Sequence, residues 1–181
     1  LPSPLAPLPQ GEGKEARSLL LVAGGSGITP LMSILRTVLA VEPQTRVHLL
    51  YGNRRQEDII FHDALRDLQK RHARNMTLTH VLEQPPRRWS GKTGRLDRAM
   101  FACLLDAILV RTAIADLEVY ACGPAPLMHG VREEVLARGL PAARFHQENF
   151  TPAVVATEAG RFATQALAIQ AQGKTWTGQV P

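Results

Sequence analysis

The chain of 181 residues can hold one domain of good size plus a piece of another, and 45% of its residues are apolar, as in ordinary globular proteins. No apolar run is long enough to span a bilayer, no secretory signal is visible, and two cysteines make neither a disulfide framework nor a metal motif, which favours a cytoplasmic protein with no metal site. The net charge of +5 is scattered and lacks a basic stripe interleaved with aromatic residues, so it argues against nucleic-acid binding and suits anionic ligands.

The first sixteen residues predict a linker. Residues 1–16 are rich in proline and do not show the periodicity of a helix or a strand. Because the chain does not begin with methionine, we expect a segment to precede it.

A strand, a glycine turn and a helix come next, and the rest of the chain is organised around them. Residues 19–23 are a short apolar run, typical of a strand buried on both faces. Thr29 fits a helix N-cap and Pro30 the first helical position. Gly25 and Gly27 let the backbone approach a ligand, and the free N–H groups of a helix start suit a phosphate. A plain turn is the alternative, because Pro30 replaces the third glycine of the Rossmann fingerprint.

Strands and helices alternate through the following hundred or so residues. Further strands are predicted over 46–51, 76–82, 117–122 and 143–146, helices over 58–71, 96–107 and 125–138, and a loop over 83–95. Asp58 is expected to cap the second helix and Gly139 to end the last one. The pattern predicts an α/β fold with a doubly wound, five-stranded parallel sheet, whose ligand crevice lies at the carboxyl ends of the first and fourth strands.

The end of the chain predicts a separate β-hairpin. Residues 151–160 are small and polar, as in a linker, and residues 161–181 alternate around a Gln-Gly-Lys turn. Since an isolated hairpin is marginally stable, we expect it to belong to a further module or to pack on the main domain.

Four separated motifs resemble the pyridine-nucleotide domain of the ferredoxin–NADP reductase superfamily. They are Ala23–Pro30, Tyr51–Arg54, Ala121–Pro124 and Glu148–Phe150. Their order and spacing match the family over residues 17–150, most closely the oxygenase reductase components of the phenylacetyl-CoA oxygenase reductase type. In those proteins a flavin barrel precedes this domain and a [2Fe–2S] domain follows. The resemblance therefore makes residues 161–181 the start of a ferredoxin-like domain, although the motifs that bind FAD and the cluster are absent from this chain.

The resemblance also implies roles for individual residues. Pyrophosphate would be bound by residues of the first motif, which are Gly25, Gly27, Ile28, Thr29 and Pro30. Nicotinamide would lie at Cys122, Gly123 and Pro124, and the Cys122 thiol would position it for hydride transfer. Glu148 and Phe150 would approach the flavin, so Cys122 and Glu148 are the candidate catalytic residues. The alternatives are that Cys122 is a small buried apolar residue, as expected for Cys103, and that residues 148–150 are a linker.

The end of the second strand bears on the choice of cofactor. Asn53, Arg54 and Arg55 stand where NAD-specific sites often have an acid that binds the ribose hydroxyls. An arginine matches a 2′-phosphate instead, so the residues predict that NADP(H) is favoured over NAD(H). A solvated pair of surface arginines is the alternative.

Taken whole, the resemblance implies a fragment of an NAD(P)H-dependent flavin oxidoreductase. The complete enzyme would take a hydride from NADPH onto FAD on a flavin domain of the same protein and pass single electrons to an oxygenase or ferredoxin partner. One alternative is a non-catalytic nucleotide-binding redox sensor, which would not need the third and fourth motifs. Another is a ferredoxin or flavodoxin reductase without its own cluster domain, against which the terminal hairpin argues.

Overall fold

A computed structural model describes residues 17–148 in full, and the backbone of residues 165–171 and 174–180. The described strands are β1 (Ser18–Gly24), β2 (Arg46–Asn53), β3 (Met76–Leu82), β4 (Lys92–Thr93), β5 (Leu117–Cys122), β6 (Phe145–Glu148), β7 (Gln165–Ala171) and β8 (Lys174–Val180). The described helices are α1 (Ile28–Val41), α2 (His62–Arg71), α3 (Arg98–Leu109) and α4 (Ala125–Ala137). The predicted linkers, residues 1–16 and 151–160, lie outside the described residues.

The chain consists of two compact units, one up to Phe150 and one from Thr151 onward. In the first unit, six parallel strands form one sheet in the order β4-β3-β2-β1-β5-β6. In the second, β7 and β8 pair antiparallel, from Gln165 opposite Val180 to Ala171 opposite Lys174. The doubly wound α/β fold and the hairpin are therefore as predicted. None of the described helices has the length and apolarity needed to cross a bilayer.

The central strand divides the core into two layers. Every residue of β1 is buried, and its side chains alternate between the faces of the sheet. Leu19, Leu21 and Ala23 join a core cluster with residues of α1 and α2, whereas Leu20 and Val22 join a cluster with residues of α3 and α4. Helices on both faces explain why β1 reads as a continuous apolar run and not as an alternating one.

The sheet has one strand more than predicted. β4 has two residues and pairs parallel with Val81 and Leu82 at the end of β3, inside the stretch predicted as a loop. Gly94 donates its N–H to the Leu82 carbonyl over 2.9 Å, and the Trp89 indole donates to the Lys92 carbonyl over 3.0 Å. A strand of two exposed residues has no apolar pattern, so sequence periodicity could not reveal it.

Two predicted helix caps are wrong. α1 begins at Ile28 with Gly27 as its N-cap, and the Thr29 hydroxyl lies inside the first turn, where it donates to the Ser26 carbonyl over 2.9 Å. Pro30 is consequently the third helical residue and not the first. Proline is tolerated at this position because the N–H groups of the first helical turn have no acceptor within the helix.

The second cap is displaced by three residues, from Asp58 to Phe61. α2 begins at His62, whereas Asp58 ends a short 3₁₀ turn and accepts the Arg55 N–H over 3.1 Å. Phe61, the N-cap residue of α2, has a φ of 60° and is the one non-glycine residue with positive φ among those described. The carboxylate thus caps a separate turn that precedes the helix.

The remaining helix ends agree better with the sequence. Gly139 follows the end of α4 with a φ of 90°, as predicted. α3 begins two residues later than predicted, and Asp97 caps it by accepting the Met100 N–H over 2.9 Å. Cys103 lies on α3 but is exposed, so the prediction that it is buried is wrong.

Candidate functional site

A cavity of ≈ 550 Å³ opens at the carboxyl edge of the sheet. This carboxyl-edge cavity lies where the strand order reverses between β1 and β5, the crevice at which parallel α/β sheets bind ligands. Its lining comes from the ends of β1 and β2 and from the segments that follow the first five strands, namely Gly24, Gly25, Ser26, Gly52, Asn53, Arg54, Asp58, Ile60, Glu83, Arg95, Leu96, Asp97, Pro124, Pro126 and Leu127.

The turns that follow β1 and β5 are in direct backbone contact. A Cβ atom on Gly27 would lie 2.1 Å from the Cys122 carbonyl oxygen, and one on Gly24 would lie 2.7 Å from Cδ of Pro124. Gly123 in turn faces the backbone of Gly24, with 3.0 Å from its Cβ position to the Gly24 nitrogen. These glycines are therefore required by packing between the two turns, a reason that sequence alone did not reveal.

Gly25 is different, because it faces open space. It has a φ of 52°, no heavy atom lies within 4 Å of the position of its missing Cβ, and it lines the carboxyl-edge cavity. Its carbonyl accepts the Tyr51 hydroxyl over 3.0 Å, and that hydroxyl accepts the Ile60 N–H over 3.3 Å. The turn is thus tied to β2, and its backbone is bare on the cavity side at the start of α1.

The other residues of the first motif are placed less directly. Ile28 is fully buried in the core, and Thr29 is exposed with its hydroxyl bonded to the preceding turn. Gly27, Ile28, Thr29 and Pro30 are not among the residues that line the carboxyl-edge cavity. The structure therefore brings Gly25 to the cavity, while these four support the turn and the first turn of α1.

The end of β2 presents two neighbouring residues to the cavity. Asn53 is 8% exposed, and its side-chain nitrogen is buried. Arg54 also lines the cavity. Arg55 does not, because its Nε donates to Oε1 of Gln84 over 3.1 Å. The structure thus separates two arginines that the sequence left equivalent.

Sequence reasoning missed the residues contributed by the end of β3 and the segment before α3. Glu83 follows β3 directly, and Arg95 donates to its Oε1 over 3.0 Å. This carboxylate raises the pKa of the Arg95 guanidinium. Glu83 could have been found, because the carboxyl ends of parallel strands meet at one edge of the sheet. Arg95 could not, since it ends a loop whose path the sequence does not specify.

Cys122 and Glu148 are neighbours across strands β5 and β6. They are directly paired in register, and the Cys122 residue is fully buried. Burial, with a smaller contribution from the Glu148 carboxylate, raises the pKa of the Cys122 thiol, which is therefore neutral near pH 7. Glu148 is exposed on the edge strand.

The third motif reaches the cavity through its last residue. Pro124 lines the cavity, whereas Cys122 and Gly123 stand behind it against the turn after β1. Phe150 lies outside the described residues. Among the residues that the structure does describe, no group of histidine, cysteine and acidic side chains could hold a metal ion.

Comparison with known proteins gives a consistent result. The family described as oxidoreductase NAD-binding domain matches residues 21–133. One subunit of the 1,2-phenylacetyl-CoA epoxidase of Escherichia coli (strain K12) is 32% identical over 141 residues, which are 78% of this chain and 39% of that protein. The ferredoxin reductase component of the 3-ketosteroid-9-alpha-monooxygenase of Mycobacterium tuberculosis is 34% identical over 169 residues, 90% of this chain and 43% of that one.

A solved structure agrees with these sequence matches. The CS-b5R domains of human Ncb5or, in the NAD⁺ form, superpose with a TM-score of 0.65 at 28% identity, covering 75% of this chain and 37% of that one. The chain thus spans about two fifths of the length of each of these relatives.

Proposed function

Because this chain belongs to the oxidoreductase NAD-binding domain family, we propose that it is the NAD(P)H-binding domain of a flavin-dependent reductase. The observation that carries the proposal is the coincidence of the carboxyl-edge cavity with the reversal of strand order between β1 and β5. Asn53 and Arg54 at the end of β2 support it, since both line this cavity.

We assign the parts of the dinucleotide by the chemistry of the lining. The bare backbone of Gly25 at the start of α1 suits the pyrophosphate, because free N–H groups and the positive end of the helix dipole favour anions. Asn53 and Arg54 suit the adenosine end, and Pro124 the nicotinamide end. Cys122 would shape the turn against which the nicotinamide lies. Glu148, its neighbour on β6, would lie at the edge of the sheet that faces the flavin.

The reductase that we propose takes electrons from NADPH in preference to NADH. Arg54 forms no ion pair with a described residue, so its guanidinium is available to a 2′-phosphate. Each of the three carboxylates of the lining has a partner, because Asp58 accepts the Arg55 N–H, Asp97 accepts the Met100 N–H, and Glu83 is paired with Arg95.

Electrons would leave through groups that this chain does not itself bind. NADPH supplies a hydride to FAD on a flavin domain, and the relatives named as part of an epoxidase and as a monooxygenase reductase component suggest an oxygenase or ferredoxin-type acceptor. A [2Fe–2S] centre would then belong to the module that the terminal hairpin begins.

Two glycine substitutions test the nucleotide site. Gly25 and Gly139 both have positive φ, and the Cβ of an alanine would meet no heavy atom within 4 Å at either position. Gly25→Ala and Gly139→Ala should therefore cost similar stability, about 1 kcal/mol each. Calorimetric titration of the chain with NADPH should show at least tenfold weaker binding for Gly25→Ala and unchanged binding for Gly139→Ala. Equal affinity of the two variants, or no binding by the parent chain, would contradict the assignment.

A further inference from the structure

A second cavity, of ≈ 740 Å³, lies at the opposite edge of the sheet, where the strands begin. This amino-edge cavity is lined by residues at or just before the starts of β1, β2, β3, β5 and β6, and shares none with the carboxyl-edge cavity. Its volume falls within the range of ordinary small-molecule sites. The function proposed above does not involve it.

Arginine dominates the charge of the amino-edge cavity. Five arginines from five separate segments line it, namely Arg17, Arg46, Arg74, Arg111 and Arg144, and Asp116 is the one carboxylate among its described lining residues. Convergence of so many like charges is costly unless an anion or a helix end offsets them.

Hydrogen-bond and ion-pair partners within the described part of the protein compensate only part of this positive charge. Glu42 binds Arg17 through two hydrogen bonds of 2.9 Å each, and Arg144 donates to the Ala115 carbonyl. Arg46, Arg74 and Arg111 form no ion pair within the described part of the chain.

The carboxyl ends of helices also attract cations, but they do not compensate all of the remaining positive charge of the cavity. α1, α2 and α3 each end within four residues of the cavity lining, and each contributes about half a negative charge there. Together with Asp116 and Glu42, the helix ends leave more than one of the five positive charges without compensation.

One wall of the cavity is held rigidly. The Thr45 hydroxyl donates to Glu42 over 2.8 Å, on the same carboxylate that binds Arg17. The Asn75 amide donates to the Thr45 carbonyl over 3.2 Å. These bonds fix the segment between α1 and β2 against the start of β3, so a ligand would meet a preorganised surface.

We propose that the amino-edge cavity binds a small polyanion that carries at least two phosphate or carboxylate groups. Guanidinium groups present planar forks of donors that match such groups in pairs, and Arg46, Arg74 and Arg111 form no ion pair within the described part of the chain. The cavity is open to solvent on one side, but its arginines come from five segments around a concavity, which suits a compact ligand better than the flat surface of an acidic protein.

Binding of inorganic tripolyphosphate to the full chain tests the proposal. Calorimetry at low ionic strength should show saturable binding to one site, still present when NADPH is at saturation. The double variant Arg46→Gln/Arg74→Gln should bind tripolyphosphate at least tenfold more weakly. The control Arg88→Gln/Arg132→Gln removes the same charge from exposed positions that line neither cavity, and it should bind normally. Both double variants should retain the affinity of the parent for NADPH.

Three results would overturn the proposal. Equal weakening in the two double variants would mean that only net charge matters, and displacement of tripolyphosphate by NADPH would mean that it binds at the other edge. Tighter binding of a polyglutamate peptide than of tripolyphosphate, lost in Arg46→Gln/Arg74→Gln, would assign the surface to an acidic protein. Because NADPH binding is measured separately, a failure here leaves the nucleotide site unaffected.

Discussion

Arg54 and Arg55 are adjacent in sequence but differ in surroundings, which makes them a matched pair for testing cofactor choice. Arg54 lines the carboxyl-edge cavity, whereas Arg55 is bonded to Gln84. Arg54→Gln should weaken NADPH binding by about 1.5–3 kcal/mol, the value of a hydrogen bond to a charged group, or roughly one to two orders of magnitude. NADH binding should be almost unchanged, because NADH has no 2′-phosphate.

The control for this prediction is Arg55→Gln, which should alter neither affinity. Titrations of the three chains with both cofactors provide the comparison. If Arg54→Gln weakens NADPH and NADH equally, or weakens neither, Arg54 does not contact a 2′-phosphate and the proposed preference is lost.

Gly27 shows how packing can require a glycine that the sequence assigned to ligand binding. The sequence suggested that Gly27 allows backbone to approach a phosphate, but its φ is −60° and its Cβ position lies against the Cys122 carbonyl. Gly27→Ala should therefore reduce the free energy of unfolding by about 1–3 kcal/mol or more through overpacking against backbone that cannot move aside. Urea denaturation should show a loss larger than for Gly25→Ala, and an equal or smaller loss would refute the packing argument.

Among the helices, α3 offers a direct test of a single cap. Asp97 accepts the Met100 N–H and also lines the carboxyl-edge cavity. Asp97→Ala should lower the free energy of unfolding by about 1 kcal/mol, whereas Asp97→Ser, which keeps an acceptor, should cost only a few tenths. Thermal denaturation of both variants tests this, and similar losses in the two would mean that the cap contributes little.

Elements with a long apolar pattern were predictable, and those fixed by tertiary contacts were not. β1, β2, β3 and β5 follow from apolar runs, and the end of α4 from Gly139. β4 has two residues and depends on pairing with β3, and α2 starts after Phe61 because Asp58 is already used by the Arg55 N–H. Local propensity cannot decide between a cap on a helix and a cap on the turn before it.

At the scale of the whole molecule, the candidate site was predictable to the extent that topology determines it. The crevice between the first strand and the one that begins at Leu117 was predicted, because parallel strands place their carboxyl ends at one edge. Gly25, Asn53, Arg54 and Pro124 line the cavity there, as the sequence suggested. Arg95 and Asp97 depend on the path of a loop, which no periodicity encodes.

The absorption spectrum of the whole chain is a further prediction. The sequence has two cysteines, too few for a four-cysteine cluster; one is exposed on α3 and the other is buried in β5. Purified chain should therefore be colourless and should not oxidise NADPH, although it should bind it. Spectrophotometry without added flavin or iron tests this, and flavin or iron–sulfur bands in unsupplemented protein would show that the chain carries a redox centre of its own.

The backbone contact between the turns after β1 and β5 has a consequence for protein engineering. Gly24, Gly27 and Gly123 hold that side of the cavity by main-chain shape, which leaves little freedom for substitution. The ends of β2 and β3 contribute side chains such as Arg54 and Glu83, which can change without disturbing the other half. A laboratory evolution library aimed at cofactor preference would therefore keep these three glycines unchanged. It would randomise the residues at the ends of β2 and β3.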